Sequence, residues 1–114
     1  MTSSSVHKPL EWSVMEQSDL SVAAFSIPGG VLELEDLQHV KLPPELHGRE
    51  QFGLIFSGRG PIWLYACLLH LAHPFAWIAI HDPRLGGAVV VQRHTSKAPG
   101  IGSLLPMPDE DSQP

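Results

Sequence analysis

A chain of 114 residues is near the commonest size for a single domain and long enough to bury a core without covalent staples. Its one cysteine excludes an internal disulfide and fits a reducing, cytoplasmic setting, and a serine-rich start with no basic patch and apolar run behind it carries no secretory signal. A net charge of −5 argues against a broad duplex-binding face, so no DNA partner is expected.

The charge is unevenly spread. Residues 1–56 carry three Lys/Arg against eight acids, whereas residues 57–97 carry Arg59, Arg84, Arg93 and Lys97 against Asp82 alone. The chain then closes on Asp109, Glu110 and Asp111. A locally basic stretch inside an acidic protein suits a confined pocket for a small anion.

In chain order, residues 1–10 are expected to form a flexible N-terminus. Trp12 to Glu16 and Leu20 to Ile27 read as two strands, rich in β-branched and aromatic residues, and Pro28-Gly29-Gly30 breaks the second. Val31, Leu34, Leu37 and Val40 recur at helical spacing with Glu33, Glu35 and Asp36 between them, which predicts a helix over 31–40, ended by Pro43-Pro44. His39 and His47 read as surface histidines.

Phe52 to Phe56 predicts a short central strand, with Ser57-Gly58-Arg59-Gly60 as its exit turn. Pro61 then opens a helix running to His73. That helix is apolar nearly all round, so it should be buried on more than one side. In so small a chain this points to a partner, most simply a second copy. Cys67, inside it, reads as a small buried hydrophobe. The run from Ile62 to Ile80 is long and apolar, but His70, His73 and Pro74 interrupt it, so it reads as a buried helix turning into a buried strand and not as a membrane span. Phe75 to His81 is that strand. Asp82 to Gly87 turns, and Ala88 to His94 returns as a hairpin partner. Residues 98–114 are expected to be an irregular acidic tail.

The strand–helix–strand from Phe52 to His81 has crossover length, so its strands should be parallel. With a hairpin at each end, the fold class is α/β, a compact mixed sheet of about five strands with two helices. This topology sorts the polar groups onto two edges. Ser57, Gly58 and Arg59 leave one parallel strand at its C-terminal end, and Asp82 and Arg84 leave the other, side by side at the edge where α/β sheets bind ligands. The glycine-flanked Arg59 suits a phosphate, which the backbone N–H groups of the turn and a guanidinium can hold; the bland alternative is a turn that needs glycine. Asp82-Pro83-Arg84 is equally a turn with a structural ion pair, or a set for phosphate-ester work in which Arg84 stabilises charge on phosphorus and Asp82 binds a divalent ion or orients a nucleophile. At about 1.5 Å per helical residue, His73 lies roughly 20 Å from Ser57, on the opposite edge. There His70, His73 and His94 are candidates for a metal site or for acid–base work, or are simply packed.

Taken together, Phe56 to His94 resembles the core of the small CRISPR-associated ring nucleases of type III systems. The resemblance is carried by SGRGPIWL (57–64), a helix ending in histidines, and DPRLGGAVVV (82–91). It implies a ferredoxin-like, dimer-forming fold spanning 11–97 that binds and cleaves cyclic tetra-adenylate and so switches off antiviral signalling. It also implies Mn2+ dependence, a homodimer, and ligand-driven stacking into tetramers or filaments, with catalytic groups drawn from opposite faces of neighbouring dimers. By position, His73, Asp82 and Arg84 match the family's catalytic residues and Ser57, Gly58, Arg59 and Gly60 its ligand-binding turn. His70 and His94 remain metal candidates, and neither His70 nor His81 is matched to a catalytic residue. Family members often continue into a C-terminal nucleotide-binding domain; here a short acidic tail stands in its place. Two alternatives use the same residues: a manganese-dependent exoribonuclease on short RNA, and a module that binds the cyclic messenger without cutting it.

Overall fold

A computed structural model describes residues 8–108. The first seven residues and Asp109, Glu110 and Asp111 lie outside the described residues, so the expectations of a flexible start and an acidic end bear only on what adjoins them. Of that flexible start, Pro9 and Leu10 are buried.

The elements run β1 (Glu11–Glu16), β2 (Leu20–Ser26), three short 3-10 segments (Pro28–Gly30, Leu34–His39, Pro44–Leu46), β3 (Gly53–Ser57), α1 (Ile62–Leu71), β4 (Trp77–Asp82), β5 (Gly87–Arg93) and β6 (Leu104–Leu105). All strands join one mixed sheet in which strand order follows chain order. β1 and β2 are antiparallel, β2, β3 and β4 run parallel, and β5 and β6 add antiparallel neighbours. The α/β class therefore holds, with six strands where about five were expected.

The sixth strand comes from the stretch expected to be irregular. Leu104 and Leu105 pair with Val89 and Ala88, and Ala98, Leu105 and Met107 pack on Val22, Ile55, Ala79, Ala88 and Val90. This sheet face carries no helix, so the C-terminal stretch is what keeps it from water. A short strand among Gly and Pro has no periodicity to announce it.

The opposite face carries α1 and the 3-10 segments. Phe25, Leu54, Phe56 and Ile78 from the sheet close on Leu64 and Leu68 of α1 and on Val40 and Leu46 from the 3-10 region. The helix expected over 31–40 forms as a 3-10 helix over Leu34–His39, its first turn closed by a reciprocal Glu33–Asp36 capping box. Apolar positions three apart suit three residues per turn as well as 3.6, and flanking Gly30 and Pro43 leave little length for an α-helix.

α1 is also shorter than expected. Pro61 is its N-cap, and it ends at Leu71, so His73 sits beyond the C-cap residue Ala72 and not on the helix. Only Leu64 and Leu68 are buried within it, while Ile62 is 86% exposed and Leu71 37%. The second covered side that an all-apolar helix calls for is therefore not supplied by the described residues. Cys67 is half-buried and free.

Candidate functional site

The parallel strands β2, β3 and β4 end together, and their exits form one rim. Gly58 lies there with φ +152°, and a Cβ on it would stand 2.6 Å from the Phe25 carbonyl oxygen and 2.8 Å from the Phe25 ring. Glycine is thus required by close approach to β2 as well as by backbone angle. The turn is pinned from α1, where the Tyr65 hydroxyl donates to the Gly58 carbonyl. The Tyr65 ring packs edge-on against Phe25 at 5.5 Å, and burial pushes its phenol pKa up, so it stays a neutral donor. Arg59 and Gly60 are exposed at the tip. Arg59 makes no ion pair among the described residues.

One strand over, Asp82 ends β4. Its Oδ1 accepts the Arg84 backbone N–H at 3.0 Å and faces Arg84 Nε at 3.5 Å. The Arg84 backbone N–H, then the guanidinium, hold the Asp82 carboxyl below its ordinary value of 3.8. The carboxylate is thus ionised and pre-aimed by its own turn. The Arg84 side chain is 90% exposed, so most of its donors face solvent, free for an incoming anion.

A side-chain contact that no sequence motif announces links the ends of β3 and β4. Ser57 Oγ and His81 Nδ1 are 2.9 Å apart. Parallel pairing of Phe56 with Ile80 makes Ser57 and His81 the next neighbours across β3 and β4, pointing to the same face. Counting register along two strands joined by a crossover was the available signal.

The other expected group occupies the far rim. The His73 and His94 rings meet edge-on with centroids 4.7 Å apart. Gln92 Nε2 lies 3.0 Å from His94 Nε2 and 3.4 Å from the His73 carbonyl oxygen. His94 is tied to the start of β4 through its backbone N–H to the Ala76 carbonyl. Asp82 ends the same strand, five residues after Trp77, so the two rims stand roughly 17 Å apart along β4. His73 and Asp82 are therefore not brought together within one chain. His70 is exposed on the last turn of α1 and joins neither set.

Among the described residues no group of three or more His, Cys, Asp or Glu is placed to hold a metal ion. His73 and His94 offer two imidazoles without a carboxylate, a donor set that one chain leaves incomplete for manganese, which favours oxygen ligands. A groove of about 1050 Å³ lies elsewhere, between Leu10–Trp12 and His39–Glu45. No helix among the described residues is long and apolar enough to cross a membrane.

The fold is thus a six-stranded mixed α/β sheet that sets a glycine-flanked arginine turn and an Asp–Arg turn on one rim. Residues 26–105, well over half of the chain, match the family described as CRISPR-associated protein (Cas_csx3). The chain belongs to this CRISPR-associated family. The matched region takes in both rims and ends with β6, past the boundary at residue 97 expected from sequence. An uncharacterised protein of Aquifex aeolicus (strain VF5) is 39% identical over 88 residues, covering 75% of this chain and 78% of its own length.

Proposed function

We propose that this protein is a ring nuclease, a phosphodiesterase that binds cyclic tetra-adenylate and cleaves it to switch off type III CRISPR signalling. The observation that carries the reading is the meeting, in a member of a CRISPR-associated family, of the Ser57–Gly60 and Asp82–Arg84 turns on one rim. Together they offer two exposed arginines and an oriented carboxylate to a phosphodiester.

In the proposed reaction a ribose 2′-hydroxyl attacks its adjacent phosphorus. The P–O bond to the next 5′-oxygen breaks, leaving a 2′,3′-cyclic phosphate and a 5′-hydroxyl. Arg84 steadies charge on the phosphorane and Asp82 orients the groups around it. His73, from a second molecule, moves the proton from the 2′-hydroxyl to the leaving oxygen. That second molecule follows from the distance between the rims. The exposed apolar side of α1, with Ile62 at its start, supports pairing with another copy. Stacking of pairs about the ligand would join near rim to far rim.

The test is incubation with cyclic tetra-adenylate, with and without manganese, of the wild type, His73→Ala and Asp82→Ala. Linear products carrying cyclic phosphate ends are expected from the wild type, with each variant slowed about a hundredfold or more. Faster degradation of linear oligoadenylate than of the ring would mark an exoribonuclease. Ligand bound tightly yet recovered intact under both conditions would mark a sequestering module and end the enzyme reading.

A further inference from the structure

We propose that His81 is a positioning residue of the anion-binding rim, acting through the hydroxyl of Ser57. The inference rests on the reading that this rim binds a phosphodiester, and it adds a residue to which sequence gave no part.

A serine hydroxyl has one proton and two lone pairs, and the proton turns to whichever neighbour needs it. Next to a phosphate, Ser57 is useful only if that proton is free to point at the anion. At 2.9 Å from His81 Nδ1, the hydroxyl has two options. It can donate to Nδ1, leaving lone pairs towards the anion, which repel it. Or Nδ1 can carry a proton and donate to Oγ, leaving the hydroxyl proton for the ligand. A bound anion selects the second. The chain is then His81 Nδ1–H to Ser57 Oγ, and Ser57 O–H to phosphate.

The surroundings make this arrangement specific. Ser57 and His81 end adjacent parallel strands, so their spacing is set by the sheet and not by a loop. Both are half-buried, and each is followed within three residues by an exposed arginine, Arg59 and Arg84. Among the described residues, Ser57 is the hydrogen-bond partner of the His81 ring, so no carboxylate fixes the imidazole in the opposite tautomer. Donation into Oγ also polarises the serine O–H, and hydrogen bonds in such a chain strengthen one another.

The experiment measures KM and kcat for cyclic tetra-adenylate with the full-length chain as Ser57→Ala, His81→Ala, the double variant and His81→Asn. A hydrogen bond to a charged group supports an expected rise in KM of about tenfold for Ser57→Ala. His81→Ala should raise KM by a smaller factor, because its serine hydroxyl can still donate but is no longer held or polarised by Nδ1–H. The double variant should be no worse than Ser57→Ala, because His81 acts only through that hydroxyl. Asparagine at 81 presents an N–H near the Nδ1 position and should restore KM, which a merely structural role would not predict. An unchanged KM in His81→Ala, multiplied effects in the double variant, or His81→Asn as impaired as His81→Ala overturns the proposal. Should His81→Ala fail to fold, Ser57→Ala and His81→Asn decide the matter: the first must raise KM and the second must not.

If the wild type neither binds nor cleaves the cyclic nucleotide, the reading of the rim's ligand fails, which is a different result. The pair is then tested by imidazole ¹⁵N resonances during titration with inorganic phosphate. Movement of His81 Nδ1 towards the N–H form, lost in Ser57→Ala, is expected, and no movement overturns the proposal.

Discussion

Gly58 has no room for a methyl group. Its backbone angle lies where side chains are strained, and the Phe25 carbonyl stands 2.6 Å from where a Cβ would be. Carbonyl and aromatic ring both belong to a packed strand, so neither yields cheaply. Gly58→Ala is expected to cost about 1–3 kcal/mol, read as a lower urea midpoint, and to disturb ligand binding at Arg59 along with it. By contrast Gly29, Gly86 and Gly102 have open space around the missing Cβ, so strain there comes from φ alone. Asp82 carries a different residue-level consequence. Its carboxyl is held below the ordinary value, so the folded state favours the ionised form. The stability this lends is present above about pH 5 and is lost as pH falls through and below about 4. Asp82→Asn should therefore flatten the acid limb of a plot of urea midpoint against pH. The change is small, because Arg84 is largely in solvent. A limb of unchanged steepness would show that other carboxylates dominate it.

Among the elements, the C-terminal stretch has the clearest burden. Val22, Ile55, Ala79, Ala88 and Val90 form a buried cluster on the face opposite α1, and Ala98, Leu105 and Met107 pack over it. A chain ended at Lys97 should bind a hydrophobic dye, lose thermal stability and aggregate, whereas a cut after Pro108 should do none of these. This stretch also marks the limit of what could be read from sequence. The parallel crossover from β3 through α1 to β4 was legible, because a continuous apolar run stopped by Pro74 and two turn motifs left few alternatives. The sorting of Arg59, Asp82 and Arg84 to one rim and of His73 and His94 to the other followed from it. What escaped had no periodic signature. Two leucines among Gly, Ser and Pro became β6 because Ala88 and Val89 offered an open edge. Three-residue apolar spacing over 31–40 resolved into a 3-10 helix, for which the pattern is equally good. His81 was missed because a pair is a property of register, visible only once Phe56 is set beside Ile80.

At the scale of the molecule, the separation of the rims decides how activity must depend on company. If cleavage draws Asp82 from one molecule and His73 from another, each single variant lacks a different half. A mixture of His73→Ala and Asp82→Ala should then recover part of the wild-type rate, although each alone is slowed about a hundredfold or more. No recovery under conditions where subunits exchange would place both residues in the same subunit's site. Dilution of the wild type should likewise lower specific activity, checked by rate against concentration alongside sedimentation. The order of the sheet has one more consequence. Because strand order follows chain order, a chain emerging from the ribosome can lay down each strand against the one just made, with no reserved gap to fill later. The stretch that seals the bare side follows all five other strands, so the growing polypeptide stays sticky until residues 98–108 appear. A translational pause shortly before that point would be the costliest place to stall.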